Sequence, residues 1–282
     1  MQVYYNFEAL NKALEPKKAQ NATLGFVPTM GALHRGHLSL VDFALSENEL
    51  AILTIFVNPT QFNSSFDFDT YPRTIDSDLE KLTSFADNLL VYVPEIKDIY
   101  PNGLISSHFE FGGIENEMEG KFRPGHFDGV GTVLKSFFNL IQPTKAYFGE
   151  KDFQQLQIVK KLIEIEKLPV HIVGCPILRE PNGLAMSSRN KRLTKSQFDE
   201  ASFIFKVLKK VQIDFGTKNA QEIAQWVENE FKNNKFLKLE YFEISDEETL
   251  KPIAKKENNK KYRAFIAVFA GEVRLIDNIA LN

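Results

Sequence analysis

A chain of 282 residues that is 43% hydrophobic and 25% charged, with 25 phenylalanines, can bury a large core, which excludes a disordered protein. A formal charge of −3 provides no global field for holding nucleic acid or an anionic membrane surface, so neither is expected as a partner. One cysteine, Cys175, excludes an intrachain disulfide and fits a reducing compartment.

The opening MQVYYNFEALNKALEPKK lacks the basic-then-apolar order of a secretory signal. No stretch approaches the roughly 18 apolar residues of a membrane span, and a cytoplasmic protein is expected. ATLGFVP (22–28) reads as a buried strand that ends at Pro28 and turns through TMGALHRG into the helical run HLSLVDFALSE. ELAILTIFVNP (49–59) and NLLVYVP (88–94) read as further strands, with a helical pattern over 75–86 between them. Residues 95–125 break the rhythm and suggest turns and short strand-like pieces beside the sheet. A helix over 126–141, a strand over 145–149, a helix over 152–166 and a strand over 169–177 follow. Continuous apolar strands alternating with helices predict a parallel sheet of five or six strands covered on both faces, the α/β class.

Beyond LREPNGLAMSSRN the texture changes to two helices, 195–215 and 219–233, then strands over 237–245 and 262–277. A boundary is therefore expected near 178–192, dividing the chain into a larger unit, 1–180, and a smaller α+β unit, 181–282. No repeat of 20 to 50 residues is present.

The pair His34 and His37, with Arg35 and Gly36 between them, stands at the predicted start of a helix. A zinc site lacks an HExxH pattern or nearby acidic ligands, and core packing gives no reason for Gly31 and Gly36. A grip on phosphate suits the pair better, because imidazoles beside the first amides of a helix donate to phosphate oxygens; structural explanations remain open at this point. No P-loop or dinucleotide fingerprint is found. Asn58 and Gln61 follow a buried strand, where a parallel sheet places its crevice, although Asn58 before Pro59 also suits a turn. Tyr71, Arg73, Arg123 and His126 are surface residues or, together, a basic pocket. FGEKD (148–152) is a common turn on its own. AMSSRN (185–190) lacks a nucleophile elbow; it is either an interdomain linker or a mobile loop that closes over polyphosphate.

Seven blocks, PTMGALHRGH (28–37), IFVNPTQF (55–62), YPR (71–73), FRPGHFDGVGTVL (122–134), FGEKDFQQL (148–156), GLAMSSRN (183–190) and RLIDN (274–278), resemble the pantothenate synthetase family, in family order over nearly the whole chain. The resemblance implies a Rossmann-like nucleotidyltransferase domain that binds ATP and pantoate, a smaller carboxy-terminal lid domain and a homodimer. The implied reaction uses ATP and Mg²⁺: pantoate carboxylate attacks the α-phosphorus to give pantoyl adenylate and pyrophosphate, then β-alanine displaces AMP to give pantothenate.

By the same resemblance, His34, His37, Lys151, Ser187, Ser188 and Arg189 hold the phosphates and carry the catalysis. Pro28, Thr29, Met30, Gly31 and Met186 line the ATP site, and Gly149 and Asp152 face the ribose. Asn58, Gln61 and Gln155 hold pantoate, while Tyr71, Arg123 and His126 are further site candidates. No protein metal ligand is implied, since Mg²⁺ can ride on the phosphates and water. Arg35 departs from the family, where this position is often acidic.

Overall fold

The computed structural model describes residues 1–282 and divides into two units, 1–150 with 155–176 and 151–154 with 177–282. The expectation of one boundary at 180 did not anticipate the return of residues 151–154 to the second unit.

The first unit is a Rossmann-like α/β layer structure. Its strands are β1 (Gln2–Tyr4), β2 (Leu24–Thr29), β3 (Leu50–Ile55), β4 (Leu89–Tyr92), β5 (Lys145–Gly149) and β6 (His171–Cys175), all parallel, in the order β1-β4-β3-β2-β5-β6. Every residue of β3, LAILTI, is buried, as a central strand covered on both faces requires. The helices are α1 (Phe7–Ala19), α2 (Arg35–Glu47), α3 (Ser65–Asp69), α4 (Ile75–Lys81), α5 (Ile96–Ile99), α6 (Met118–Phe122), α7 (His126–Ile141) and α8 (Phe153–Glu166), the first two residues of α8 grouping with the second unit. On one face α2 buries Leu40, Val41 and Ala44. Phe137 of α7 meets the rings of Phe26, Phe56 and Tyr92 at 5.7, 6.1 and 6.4 Å.

Several elements differ from the sequence reading. The amino-terminal segment forms an edge strand and a helix capped by Asn6, whose side chain accepts from Ala9 N at 2.9 Å. Three strand residues are too few to show a period, and Pro16 interrupts the helical pattern. The helix expected over 75–86 stops at Lys81 and gives way to a 3-10 turn at Thr83–Phe85. No strand forms in 95–125, which holds α5, α6 and a 3-10 turn instead. The stretch after Gly103 is held by helix side chains rather than by a ladder, with Ser107 N donating to Thr132 Oγ1 at 2.9 Å and Phe109 N to Asp128 Oδ1 at 3.0 Å.

The second unit packs α9 (Lys195–Glu200), α10 (Ser202–Asp214) and α11 (Ala220–Lys232) with an antiparallel sheet of β7 (Leu237–Asp246), β8 (Tyr262–Ala270) and β9 (Val273–Ala280). Val207, Leu208 and Val211 of α10 share a core with Ile223 and Val227 of α11 and Ala264, Ile266 and Val268 of β8. The single helix expected over 195–215 breaks at Ala201. The strand expected over 262–277 is a hairpin that turns at Gly271 and Glu272, where Gly271 takes φ +60°.

Candidate active site

In a doubly wound sheet the ligand crevice lies at the carboxyl ends of the strands where the order reverses. Here the chain winds outward from β2 through β3 and β4 on one side and from β5 through β6 on the other, so the reversal falls between β2 and β5. The carboxyl ends at that point are Thr29 and Gly149, each the start of an expected phosphate or ribose segment. Pro28 occupies a part of β2 paired only with β3, so its missing N–H costs no bond to β5.

After Thr29 the chain turns sharply. Gly31 and Ala32 take φ of +79° and +50°. A Cβ at Gly31 would stand 3.0 Å from Ile55 Cγ2 and 3.2 Å from Asp78 Oδ2, so any other residue would be both strained in its backbone and crowded by two neighbours. The turn is held from below by Asp78, which is fully buried and accepts from Ala32 N and Leu33 N, both at 2.8 Å. Thr74 Oγ1 and Lys81 Nζ donate to the same carboxylate at 3.2 and 3.3 Å. Thr29 Oγ1 donates to Thr54 O at 2.7 Å and accepts from Gly31 N at 3.2 Å.

The turn delivers His34 as the N-cap of α2. Its Nδ1 accepts from Gly36 N at 3.1 Å, the role usually taken by a serine or aspartate oxygen. His37 completes a reciprocal cap, its Nδ1 accepting from His34 N at 3.3 Å. The rings lie 4.0 Å apart, inclined at 30°. An Nδ1 that accepts an amide hydrogen carries no proton, so the ring proton of each neutral imidazole sits on Nε2. Ring N–H groups at the positive end of a helix dipole are chemically suited to an anion. Arg35 is exposed.

A second cluster surrounds Gln61. Asn58 is 1% exposed and its amide is fully engaged: Nδ2 donates to Gln61 Oε1 and Gly129 O, both at 3.1 Å, and Oδ1 accepts from Tyr100 and Thr60 hydroxyls at 2.5 and 3.1 Å. Burial pushes the Tyr100 phenol above its ordinary range, which keeps it a donor. Gln61 Nε2 reaches Met30 Sδ at 3.0 Å. His126 Nδ1 lies 2.8 Å from Gln61 O, and Arg123 Nη2 donates to the same oxygen at 3.3 Å while Nη1 sits 3.2 Å from His126 Nε2. His126 thus carries its proton on Nδ1, the opposite tautomer to the α2 pair. Gly129 permits this packing, since a Cβ there would lie 2.4 Å from Thr60 O and 2.8 Å from Gln61 N.

The structure therefore brings together Met30, Asn58, Gln61, Arg123 and His126, and separately His34 with His37. Tyr71 is buried against the Phe62 ring, 5.6 Å away, and Arg73 caps carbonyls of its own segment, donating to Phe68 O at 3.2 Å. Gln155 is half-buried in the first turn of α8. In the second unit Lys151 and Asp152 lie next to the start of α8, with Lys151 Nζ 3.3 Å from Asp152 Oδ1. The segment expected as a linker or a mobile loop is a short bridge, Arg179 to Ala185, leading into a 3-10 turn at Ser188–Arg192. Ser187 caps that turn, accepting from Arg189 N at 3.3 Å, and Met186 and Ser188 are buried.

Asp78, Tyr100 and Gly129 were missed by the sequence reading. Asp78 had a visible signal: with Ile75, Leu79 and Leu82 it falls on the apolar stripe of α4, where a carboxylate needs a reason.

The family model described as Pantoate-beta-alanine ligase matches residues 2–280. The chain belongs to the pantoate-beta-alanine ligase family. A relative from Christiangramia forsetii named pantothenate synthetase is 54% identical over 282 residues, covering 100% of both chains. Another of that name, from Flavobacterium psychrophilum, is 53% identical over 95% of each. Among solved structures, the enzyme from Thermus thermophilus superposes with a TM-score of 0.91 at 36% identity, covering 100% of this chain and 99% of that one. Pantoate-beta-alanine ligase from Francisella tularensis, complexed with beta-gamma ATP and beta-alanine, gives a TM-score of 0.82 at 38% identity, covering 100% and 98%.

For a ligase of this family the turn held by Asp78 sets where the two imidazoles point. Asp78→Ala orphans two buried amides, each costing about 1–3 kcal/mol. The expected result is a stability loss of roughly 2–6 kcal/mol in urea titration, with a drop in kcat/KM for ATP. A loss below about 0.5 kcal/mol would show that the turn is held by other means.

Proposed function

We propose that this chain joins pantoate to β-alanine with ATP, through a pantoyl adenylate, releasing pyrophosphate and then AMP. The observation that carries the reading is the pair of Nε2–H donors fixed at the start of α2, at the reversal point of a sheet belonging to this family. His34 and His37 bind ATP phosphate oxygens, and Lys151, Ser187, Ser188 and Arg189 supply the remaining phosphate contacts. Pro28, Thr29, Met30, Gly31 and Met186 line the nucleotide, with Gly149 and Asp152 at the ribose.

Gln61 and Gln155 hold pantoate. Asn58 serves pantoate through Gln61, because its own amide is spent on protein partners and fixes which end of the Gln61 amide is the donor. Arg123 and His126 likewise hold the Gln61 backbone. Tyr71 borders this cluster through Phe62.

The chemistry asks for electrostatics rather than a general base in the first step. Pantoate attacks as a carboxylate, already ionised at neutral pH, and charge builds on the departing pyrophosphate, where imidazole and ammonium donors stabilise it. Mg²⁺ would enter with the nucleotide, bound by phosphate and water. No helix is long and apolar enough to cross a membrane. A cytoplasmic homodimer completes the proposal.

An omission assay following AMP and pantothenate tests the reaction. AMP is expected to accumulate only when pantoate and β-alanine are both present, in step with pantothenate. A complete mixture that yields no pantothenate would remove the assignment, and a stable nucleotidylated product without β-alanine would point to nucleotidyl transfer instead. His34→Ala is expected to slow adenylate formation at least about 10²-fold; near-normal turnover would remove its phosphate role.

A further inference from the structure

We propose that Asn278 is a positioning residue for Lys151, acting through the lysine's backbone carbonyl. The proposal rests on the reading of Lys151 as a phosphate-binding group. Asn278 sits on β9 opposite Phe265 of β8 and is 2% exposed. Its Nδ2 donates to Lys151 O at 2.9 Å, a contact between residues 127 positions apart. Its Oδ1 accepts from Arg263 Nη1 at 2.7 Å, so the amide orientation is fixed by a cation that cannot serve as an acceptor.

The same arginine holds the chain two residues further on. Arg263, itself buried, donates from Nε to Glu247 Oε1 at 2.7 Å and lays its guanidinium 3.9 Å from the centre of the Phe153 ring. The Phe265 ring of β8 also packs against it, centroids 6.0 Å apart. Residues 151 and 153 are thus pinned to β8 and β9 on either side of Asp152, by a carbonyl and by a ring face. Asn278 is held in turn, its N donating at 2.8 Å to Asp277 Oδ1, whose carboxylate is paired with Arg179 at 2.6 and 2.9 Å.

A lysine places its charge at the end of a flexible four-carbon stem. Anchoring its backbone at the carbonyl removes the rotations that would move the stem as a whole, leaving only its own rotamers to be selected by the ligand. The competing explanation is that Asn278 only satisfies buried polar groups and stabilises the second unit.

Pantoate-dependent exchange of pyrophosphate into ATP, measured without β-alanine, separates these explanations through a double-mutant cycle. Asn278→Asp keeps the acceptor for Arg263 and removes the donor to Lys151 O; Asn278→Ala removes both. In the Lys151-containing protein each is expected to lower the exchange kcat by about 10- to 100-fold, the effect of misplacing a reacting group by an ångström or so. In a Lys151→Ala background the same substitutions are expected to change the rate by less than about twofold. Thermal unfolding of every variant establishes that folded protein is compared. Equal losses in both backgrounds, or normal exchange in Asn278→Asp, would overturn the positioning role while leaving Lys151 its own. Normal exchange in Lys151→Ala alone would instead remove the phosphate role of the lysine, and the proposal with it.

Discussion

The first turn of α2 has backbone N–H groups with no helical carbonyl to receive them, and in this chain imidazole nitrogens meet two of the amides at that end. That choice has a chemical consequence a serine or aspartate cap would lack. By accepting at Nδ1, each ring commits its proton to Nε2 and becomes a donor of fixed direction. The cap in turn depends on the left-handed turn at Gly31 and Ala32, and the turn on a carboxylate reached from α4, more than forty residues along the chain. Helix capping, turn geometry and the orientation of the two imidazoles are here one linked set of bonds.

The two other groups of site residues follow the same logic. Gln61 has its side chain set by Asn58 and its backbone held by Arg123 and His126, with Gly129 allowing the helix to approach the turn. Lys151 has its carbonyl bound by Asn278. In each group the residues assigned to substrate are half-buried, while Asp78, Asn58, His126 and Asn278, which orient them, are buried and satisfied by protein partners. Donors placed before the substrate arrives need no reorganisation as charge develops, which is where electrostatic catalysis gains most.

Much of this was legible in the sequence because the signals are local. The continuous apolar runs of β2, β3 and β4, the amphipathic pattern of α7 and the glycine-rich turn before His34 each declare themselves within ten or fifteen residues. The histidine pair marked a helix start, and its spacing is that of a reciprocal cap. What was not legible depends on partners distant in the chain. Asn58 is assigned to pantoate by family resemblance or reads as a turn residue, and nothing near it in the sequence announces its bonds to Tyr100 and Gly129. Arg123 and His126 read as surface residues or as part of a basic pocket, and nothing local announces that both reach the Gln61 carbonyl. The edge strand β1 exists only because β4 is there to pair with it, and the extended stretch near Phe109 lacks a strand partner because α7 side chains take its amides. RLIDN carried family resemblance without a reason, and the reason lies in Arg179, Arg263 and the Lys151 carbonyl.

The central claim is that the α2 cap fixes both His34 and His37 as neutral rings protonated at Nε2. Nitrogen-15 NMR of imidazole-labelled protein at neutral pH tests it most directly, since protonated and unprotonated ring nitrogens resonate in separate ranges. The account predicts an unprotonated signal from Nδ1 and a protonated one from Nε2 in both residues, retained when ATP binds. A proton on Nδ1 of either ring, or on both nitrogens, would contradict it.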